Sequence, residues 1–116
     1  MSCNVLLVED HLPSRRNLAF ALESAMHTVY EAETGEDALS LLSTIDFGVV
    51  VSDYRLPGIA NGLDVLRRQK EKSPGARLVL MTAFGSDQVE TEAAALGVVY
   101  VEKPFSLADV LSIVEC

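Results

Sequence analysis

Polar side chains able to do chemistry follow four short apolar segments of this chain. Glu9 and Asp10 follow the first segment, and Asp53 follows a second. Thr82 and Lys103 follow two later segments. Carboxylates placed together repel one another, so such a cluster is costly unless a cation balances its charge. An all-oxygen site of this kind suits Mg²⁺ or Mn²⁺, and a hard cation also attracts phosphoryl oxygens while an Asp carboxylate attacks phosphorus.

The apolar segments themselves predict β-strands. Near-continuous runs of Val and Leu are typical of strands that are buried on both faces of a parallel sheet. A fifth run, 28–32, alternates less cleanly and predicts an edge strand. The four stronger runs are 5–8, 49–51, 78–81 and 98–101.

Helical patterns lie between these runs. An apolar stripe with helical spacing follows Pro13, a residue that is tolerated in a first turn; its members are Leu18, Ala21, Leu22 and Ala25. Capping residues and apolar spacing predict the remaining helices. These are a helix from the capping-box-like Thr34-x-x-Asp37, a helix over 62–72, a helix from Ser86 to Gly97, and a helix from Ser106-x-x-Asp109 with Leu107, Val110, Leu111 and Val114 on one face.

Strict alternation of five strands and five helices predicts an α/β fold, a doubly wound parallel sheet of order 2-1-3-4-5 with helices on both faces. In such sheets ligands bind at the carboxyl ends of the strands. We therefore expect Glu9, Asp10, Asp53, Thr82 and Lys103 to meet at one edge of the sheet. A surface acidic cluster with a salt bridge to Lys103 is the plainer alternative, but the joint placement at four strand ends favours a functional site.

Bulk properties narrow the classes of function. The length of 116 residues predicts one domain over 1–116, and a net charge of −8 argues against direct nucleic-acid binding. The sequence shows neither a membrane-spanning apolar run nor a signal-type N-terminus. Cys3 and Cys116 match no metal spacing and predict two free thiols in a reducing cytosol. His11 and His27 are interpreted as solvent-exposed residues.

Four segments in a fixed order are typical of one family, and the pattern at 33–39, at the start of the second helix, agrees with them. These segments are VLLVED at 5–10, VVVSDYRLPG at 49–58, LMTAFG at 80–85 and YVEKPF at 100–105. Through them the sequence resembles, over essentially its whole length, the receiver domains of two-component response regulators. That resemblance implies a flavodoxin-like fold.

The resemblance implies a role for each acidic residue. Asp53 would be the phosphoacceptor. Asp10 would bind Mg²⁺ directly, and Glu9 would act mainly through water. Asp53 and the backbone carbonyl of Arg55 would complete the protein ligands, with Mn²⁺ as an alternative ion.

The resemblance also implies the residues that respond to phosphorylation. Lys103 would contact the phosphoryl group, Thr82 would be the switch hydroxyl, and Tyr100 the switch aromatic. Ala83, being small, would leave access to the acceptor. The Lys103–Pro104 peptide is a candidate cis bond. From the residues alone, Tyr100 is a half-buried strand aromatic.

The predicted function is therefore a cytoplasmic signalling domain and not an enzyme, although it would assist its own phosphorylation and dephosphorylation. The phosphoryl donor would be a sensor histidine kinase or a histidine phosphotransfer domain. Phosphorylation would change the face made by the fourth helix, the fifth strand and the fifth helix. A homodimer through that face stays open.

Two other classes of function compete with this one. A phosphorylation-independent interaction module would not need all five strand-end residues together, namely Glu9, Asp10, Asp53, Thr82 and Lys103. A phosphatase with an Asp nucleophile would favour a second acid where Arg55 stands, and a flavin phosphate would be repelled by Glu9 and Asp10.

Subfamily signals disagree. The loop 57–62 is one residue longer than the commonest form and resembles receivers of hybrid sensor kinases. The segment 81–85 instead resembles receivers of nitrogen-regulation-type activators. The last predicted helix is short for the family, which fits a piece of a longer regulator.

Overall fold

Strands and helices alternate along the whole described chain. The computed structural model describes residues 3–83 and 85–115. Its elements are β1 (Asn4–Val8), α1 (Leu12–Ser24), β2 (Thr28–Ala32), α2 (Gly35–Leu42), β3 (Val49–Asp53), α3 (Gly62–Lys72), β4 (Arg77–Thr82), α4 (Asp87–Leu96), β5 (Val99–Glu102) and α5 (Leu107–Ile113).

The five strands form one parallel sheet of order β2-β1-β3-β4-β5. Apolar side chains pack on both faces of it. One core lies between the sheet and α2, α3 and α4, and the other lies between the sheet and α1 and α5. Alternate residues of β1 serve the two cores, with Leu6 on one face and Leu7 on the other, because successive strand side chains point to opposite faces. The predicted doubly wound α/β fold is confirmed.

The strands lie where the apolar runs predict them, with bounds that shift by one or two residues. Asp53 and Thr82 are the last residues of β3 and β4. The weaker run is the edge strand β2, as predicted. The expectation that the fifth run is buried on both faces is wrong, because β5 is the opposite edge and its side chains are at most half-buried.

Local capping explains where the helices begin and end. Ser86 caps α4, and Gly97 ends it in the left-handed conformation with φ 72°. Ser106 and Asp109 form a reciprocal capping box at α5. Thr34 accepts a hydrogen bond from the Asp37 N–H without the full box. Two predicted apolar positions are exposed instead, Ala25 after the end of α1 and Leu107 in the first turn of α5.

His27 and Cys3 differ from their predictions. His27 is buried, and its Nδ1 accepts a hydrogen bond from the Cys3 backbone N–H at 3.3 Å. Cys3 is disulfide-bonded, so the expected free thiol is wrong there. The prediction for Cys116 lies outside the described residues. Among the described helices, none has the length and apolar character needed to cross a bilayer.

Candidate functional site

Backbone hydrogen bonds align the carboxyl ends of the central strands. Asp53 pairs in register with Met81 of the neighbouring strand. One residue further on, the Tyr54 N–H donates to the Met81 carbonyl at 2.8 Å. The Lys103 N–H donates to the Thr82 carbonyl, also at 2.8 Å. The hydrogen-bond ladder therefore continues past the ends of β3 and β5 and reaches the last residue of β4, and it holds the residues there at one edge of the sheet.

Lys103 joins two of the three carboxylates. Its Nζ lies 3.1 Å from Asp53 Oδ1 and 3.1 Å from Glu9 Oε1. The two acidic side chains are 13% and 5% exposed, which makes these pairs stronger than surface ion pairs. Burial lowers the pKa of Lys103, but the hydrogen bonds and charges of Asp53 and Glu9 outweigh it, and the net pKa is raised.

The acidic cluster carries more negative charge than Lys103 balances. Ligand oxygens of Glu9, Asp10 and Asp53 all lie within 4.8 Å of one another. Burial, followed by the hydrogen bond and charge of Asp53, raises the pKa of Glu9 to about 7 against the opposing effect of Lys103. The Oε2 atom of Glu9 is buried and accepts no hydrogen bond. A buried acceptor without a donor, next to two further carboxylates, fits a hard divalent cation.

A cavity of about 240 Å³ opens beside this cluster. It has room for a tetrahedral oxyanion next to the Asp53 carboxylate. Thr82 is 3% exposed and Ala83 is exposed at its mouth. The residues that line it are Asp10, Asp53, Arg55, Thr82, Ala83 and Lys103. The structure thus brings together the strand-end residues that the sequence singles out. The Lys103–Pro104 peptide is cis, as the resemblance suggests.

Tyr100 lies away from the cavity lining. It is half-buried in β5, and its hydroxyl is buried without a hydrogen-bond partner. A Cβ built on Gly85 would lie 1.8 Å from that hydroxyl, so the phenol packs directly against the connection between β4 and α4. Burial, followed by the charges of Glu102 and Glu90, raises the pKa of Tyr100.

The comparison with protein families decides the identity of this arrangement. The model of the response regulator receiver domain matches residues 5–115. This chain belongs to the response regulator receiver family. Receivers are signalling modules rather than enzymes with an external substrate, and the fold and the clustered acidic residues of this receiver agree with that class.

Individual relatives agree with the family assignment. The transcriptional regulatory protein FixJ of Bradyrhizobium diazoefficiens is 34% identical over 103 residues, which are 88% of this receiver and 50% of that protein. The receiver spans about half the length of the curated relatives it matches.

Solved structures share the same fold. A CheY-like receiver from Methanospirillum hungatei superposes with a TM-score of 0.90 at 22% identity, covering 97% of this receiver and 90% of that chain. A response regulator from Burkholderia pseudomallei, described with a phosphorylated aspartic acid and a calcium ion, has a TM-score of 0.86 at 26% identity. That match covers 97% of this receiver and 66% of the Burkholderia chain.

Several residues around the site escape sequence reasoning. Arg15 hydrogen-bonds the Glu9 backbone, and Glu36 accepts hydrogen bonds from the loop after β3. Gly62 packs against the Asp53 carbonyl. Of these three residues only the glycine has a local signal, since a glycine at the start of a predicted helix is compatible with a close backbone approach.

Proposed function

We propose that this receiver accepts a phosphoryl group on Asp53 and thereby switches between two conformations. One observation carries the proposal: Lys103 bridges Asp53 and Glu9, at 3.1 Å each, inside an acidic cluster whose Glu9 Oε2 has no donor. A structural salt bridge needs one carboxylate per ammonium. The excess negative charge is explained by a divalent cation, which would also attract the oxygens of an incoming phosphoryl group.

The phosphoryl transfer is a nucleophilic displacement at phosphorus. A carboxylate oxygen of Asp53 forms the new O–P bond while the N–P bond of a phosphohistidine breaks. The electron pair of that bond stays on the imidazole nitrogen, and the product on the receiver is an acyl phosphate. Lys103 then pairs with a phosphoryl oxygen, since its ammonium already lies within hydrogen-bond distance of the acceptor carboxylate.

The residues present fit a magnesium ion. Asp10, Asp53 and the backbone carbonyl of Arg55 would hold it directly, and Glu9 would hold it through water. When bound, Mg²⁺ or Mn²⁺ neutralises charge that the phosphoryl oxygens bring into the site. The buried Glu9 Oε2 supports this assignment, because the atom has no hydrogen-bond partner and a bound cation would compensate for its lost hydration.

The switch follows from the charge that phosphorylation adds. A phosphoryl group brings close to two negative charges and strong acceptor oxygens. Thr82 is the hydroxyl that moves toward it, and Tyr100 reorients as the connection between β4 and α4 shifts. The close packing of Tyr100 on Gly85 supports this coupling, since the phenol hydroxyl lies directly against that connection.

The partner in this reaction is a histidine kinase or a histidine phosphotransfer domain, and the reaction takes place in the cytoplasm. The Burkholderia relative, whose structure contains a phosphorylated aspartic acid, supports the acceptor chemistry. A second copy of this receiver, bound through the face made by α4, β5 and α5, is a further candidate partner. Residues 1–116 are assigned to a single receiver domain.

The test is direct phosphorylation with a small acyl phosphate and Mg²⁺, followed by peptide mapping of the base-labile adduct. We expect one adduct on Asp53 that disappears in Asp53→Asn. Asp46→Asn is the matched control, because the Asp46 side chain is fully exposed at 100%. An adduct that survives in Asp53→Asn would refute the proposal, and an unmodified wild-type protein would favour the phosphorylation-independent interaction module.

A further inference from the structure

Arg15 of α1 ties the acidic pair to the edge strand. Its Nη1 donates to the Glu9 backbone carbonyl at 3.0 Å, and its Nε donates to Glu31 Oε1 at 3.0 Å. The Arg15 side chain is only 14% exposed, so it is held in this geometry. The Glu9 N–H donates to the Ala32 carbonyl at 3.0 Å. The backbone of Glu9 is therefore anchored to β2 at both its N–H and its carbonyl, the latter through Arg15 and Glu31.

The anchored carbonyl belongs to the peptide unit that joins Glu9 to Asp10. Because a peptide unit is planar, a hydrogen bond that fixes its oxygen also fixes the direction in which Asp10 leaves Glu9. We propose that Arg15 is a positioning residue that orients the acidic pair for its divalent cation. This inference rests on the cation site of the proposed function and adds a residue that does not touch the ion.

The charge of Arg15 and its positioning role predict opposite changes in Mg²⁺ affinity when Arg15 is removed. A guanidinium close to a cation site repels the cation, so its removal would tighten binding if charge alone mattered. Glu31 offsets part of that charge through its ion pair with Arg15. Removal of a positioning residue instead weakens binding, because Asp10 and Glu9 then lose orientational restraint.

The chain offers a matched control in the next residue. Arg16 also forms an ion pair with Glu31, through Oε2, but its side chain is 55% exposed. Its hydrogen bond goes to Glu31 and not to the Glu9 backbone. Replacement of Arg16 removes one positive charge and one contact to the same glutamate, and leaves the Glu9 carbonyl anchored.

The experiment is a calorimetric titration of the unphosphorylated protein with Mg²⁺. We expect Arg15→Ala to raise the Mg²⁺ Kd about tenfold and Arg16→Ala to leave it within about twofold of wild type. Arg15→Lys keeps the positive charge but lacks the guanidinium group that bonds the Glu9 carbonyl and Glu31 together, and we expect it to raise the Mg²⁺ Kd about threefold. Thermal unfolding without Mg²⁺ verifies that each variant is folded. If Arg15→Ala does not fold, the Mg²⁺ Kd of Arg15→Lys decides the outcome.

Unchanged or tighter binding in the Arg15 variants would overturn the inference, as would an equal loss in Arg16→Ala. A wild-type protein that binds no Mg²⁺ would instead refute the cation site of the proposed function. Phosphorylation of Asp53 by an acyl phosphate tests the acceptor role independently of the cation site and of the role of Arg15.

Discussion

Gly62 faces the backbone carbonyl of Asp53 so closely that a Cβ at position 62 would lie 2.1 Å from that oxygen. The Gly62 N–H donates to the Tyr54 carbonyl at 2.8 Å. The first turn of α3 therefore rests directly on the backbone of the proposed acceptor. No side chain fits between them, and the position of Asp53 depends on the absence of one.

Gly62→Ala is expected to lower the free energy of unfolding by about 1–3 kcal/mol, because the new methyl group must displace strand backbone rather than a flexible side chain. It is also expected to slow phosphorylation of Asp53. Urea unfolding measures the first effect. The control is Gly75→Ala, since a Cβ there meets nothing within 4 Å and the change is expected to stay within about 0.5 kcal/mol. Equal effects of the two variants would contradict the prediction.

Lys103→Met removes the cation shared by Glu9 and Asp53. Without a divalent ion we expect it to destabilise the fold by about 1–3 kcal/mol at pH 8, since two carboxylates then lose their partner. The loss is expected to shrink at pH 5, where Glu9 carries a proton. Urea unfolding at the two pH values measures both quantities. A loss that does not depend on pH would show that Lys103 acts through packing of its aliphatic chain.

Glu9 is expected to give the protein a pH-dependent stability. Its pKa is raised from 4.5 to about 7 in the folded state, so the folded protein holds this proton more tightly than the unfolded chain. The contribution is fully present below pH 4.5 and is lost as the pH rises through 7. Glu9→Gln should flatten this fall. Unfolding free energies measured between pH 4 and pH 8 in both proteins provide the test.

Mg²⁺ affinity is expected to have the opposite pH dependence. A proton on Glu9 competes with the cation, so the Mg²⁺ Kd should fall as the pH rises through the Glu9 pKa of about 7. Titrations at pH 6 and pH 8 measure this directly. Identical affinities at the two values would mean that Glu9 does not take part in binding the ion.

Glu36 holds the loop that follows the acceptor. Its Oε1 accepts hydrogen bonds from the Ile59 N–H at 2.8 Å and the Ala60 N–H at 3.1 Å, and these bonds lower the Glu36 pKa. Glu36→Ala is expected to speed hydrogen exchange at both amides. In the wild-type protein, the protection of these two amides from hydrogen exchange should also weaken as the pH falls through the lowered Glu36 pKa. Exchange measured by NMR, with the exposed Glu33→Ala as control, tests the contact.

Tyr100→Phe should be nearly neutral for stability. The hydroxyl is buried without a partner, so its removal loses no hydrogen bond and relieves a desolvation cost. We expect the free energy of unfolding to stay the same or to rise by up to about 1 kcal/mol. A clear loss of stability would indicate that the hydroxyl has a hydrogen-bonding partner in solution.

The sequence predicts much of the frame of this receiver. The helix over 62–72 and the edge strand 28–32 have the bounds that their patterns indicate. Burial of His27 could not be predicted in the same way, because it depends on Cys3, which lies 24 residues away along the chain. The half-burial of β5 follows from its place at the edge and not from its Val-rich composition.

The order of strands and helices, and the polar residues that follow each strand, can be determined from the sequence because both depend on short-range periodicity and capping. The bridge from Lys103 to Glu9 spans 94 residues, and only the packed sheet brings those atoms to 3.1 Å. The hydrogen bond from Arg15 to the Glu9 carbonyl and the hydrogen bond from the loop after β3 to Glu36 also form only in the packed structure. Such contacts depend on side-chain length and on how distant elements pack, and neither leaves a periodic pattern in the sequence.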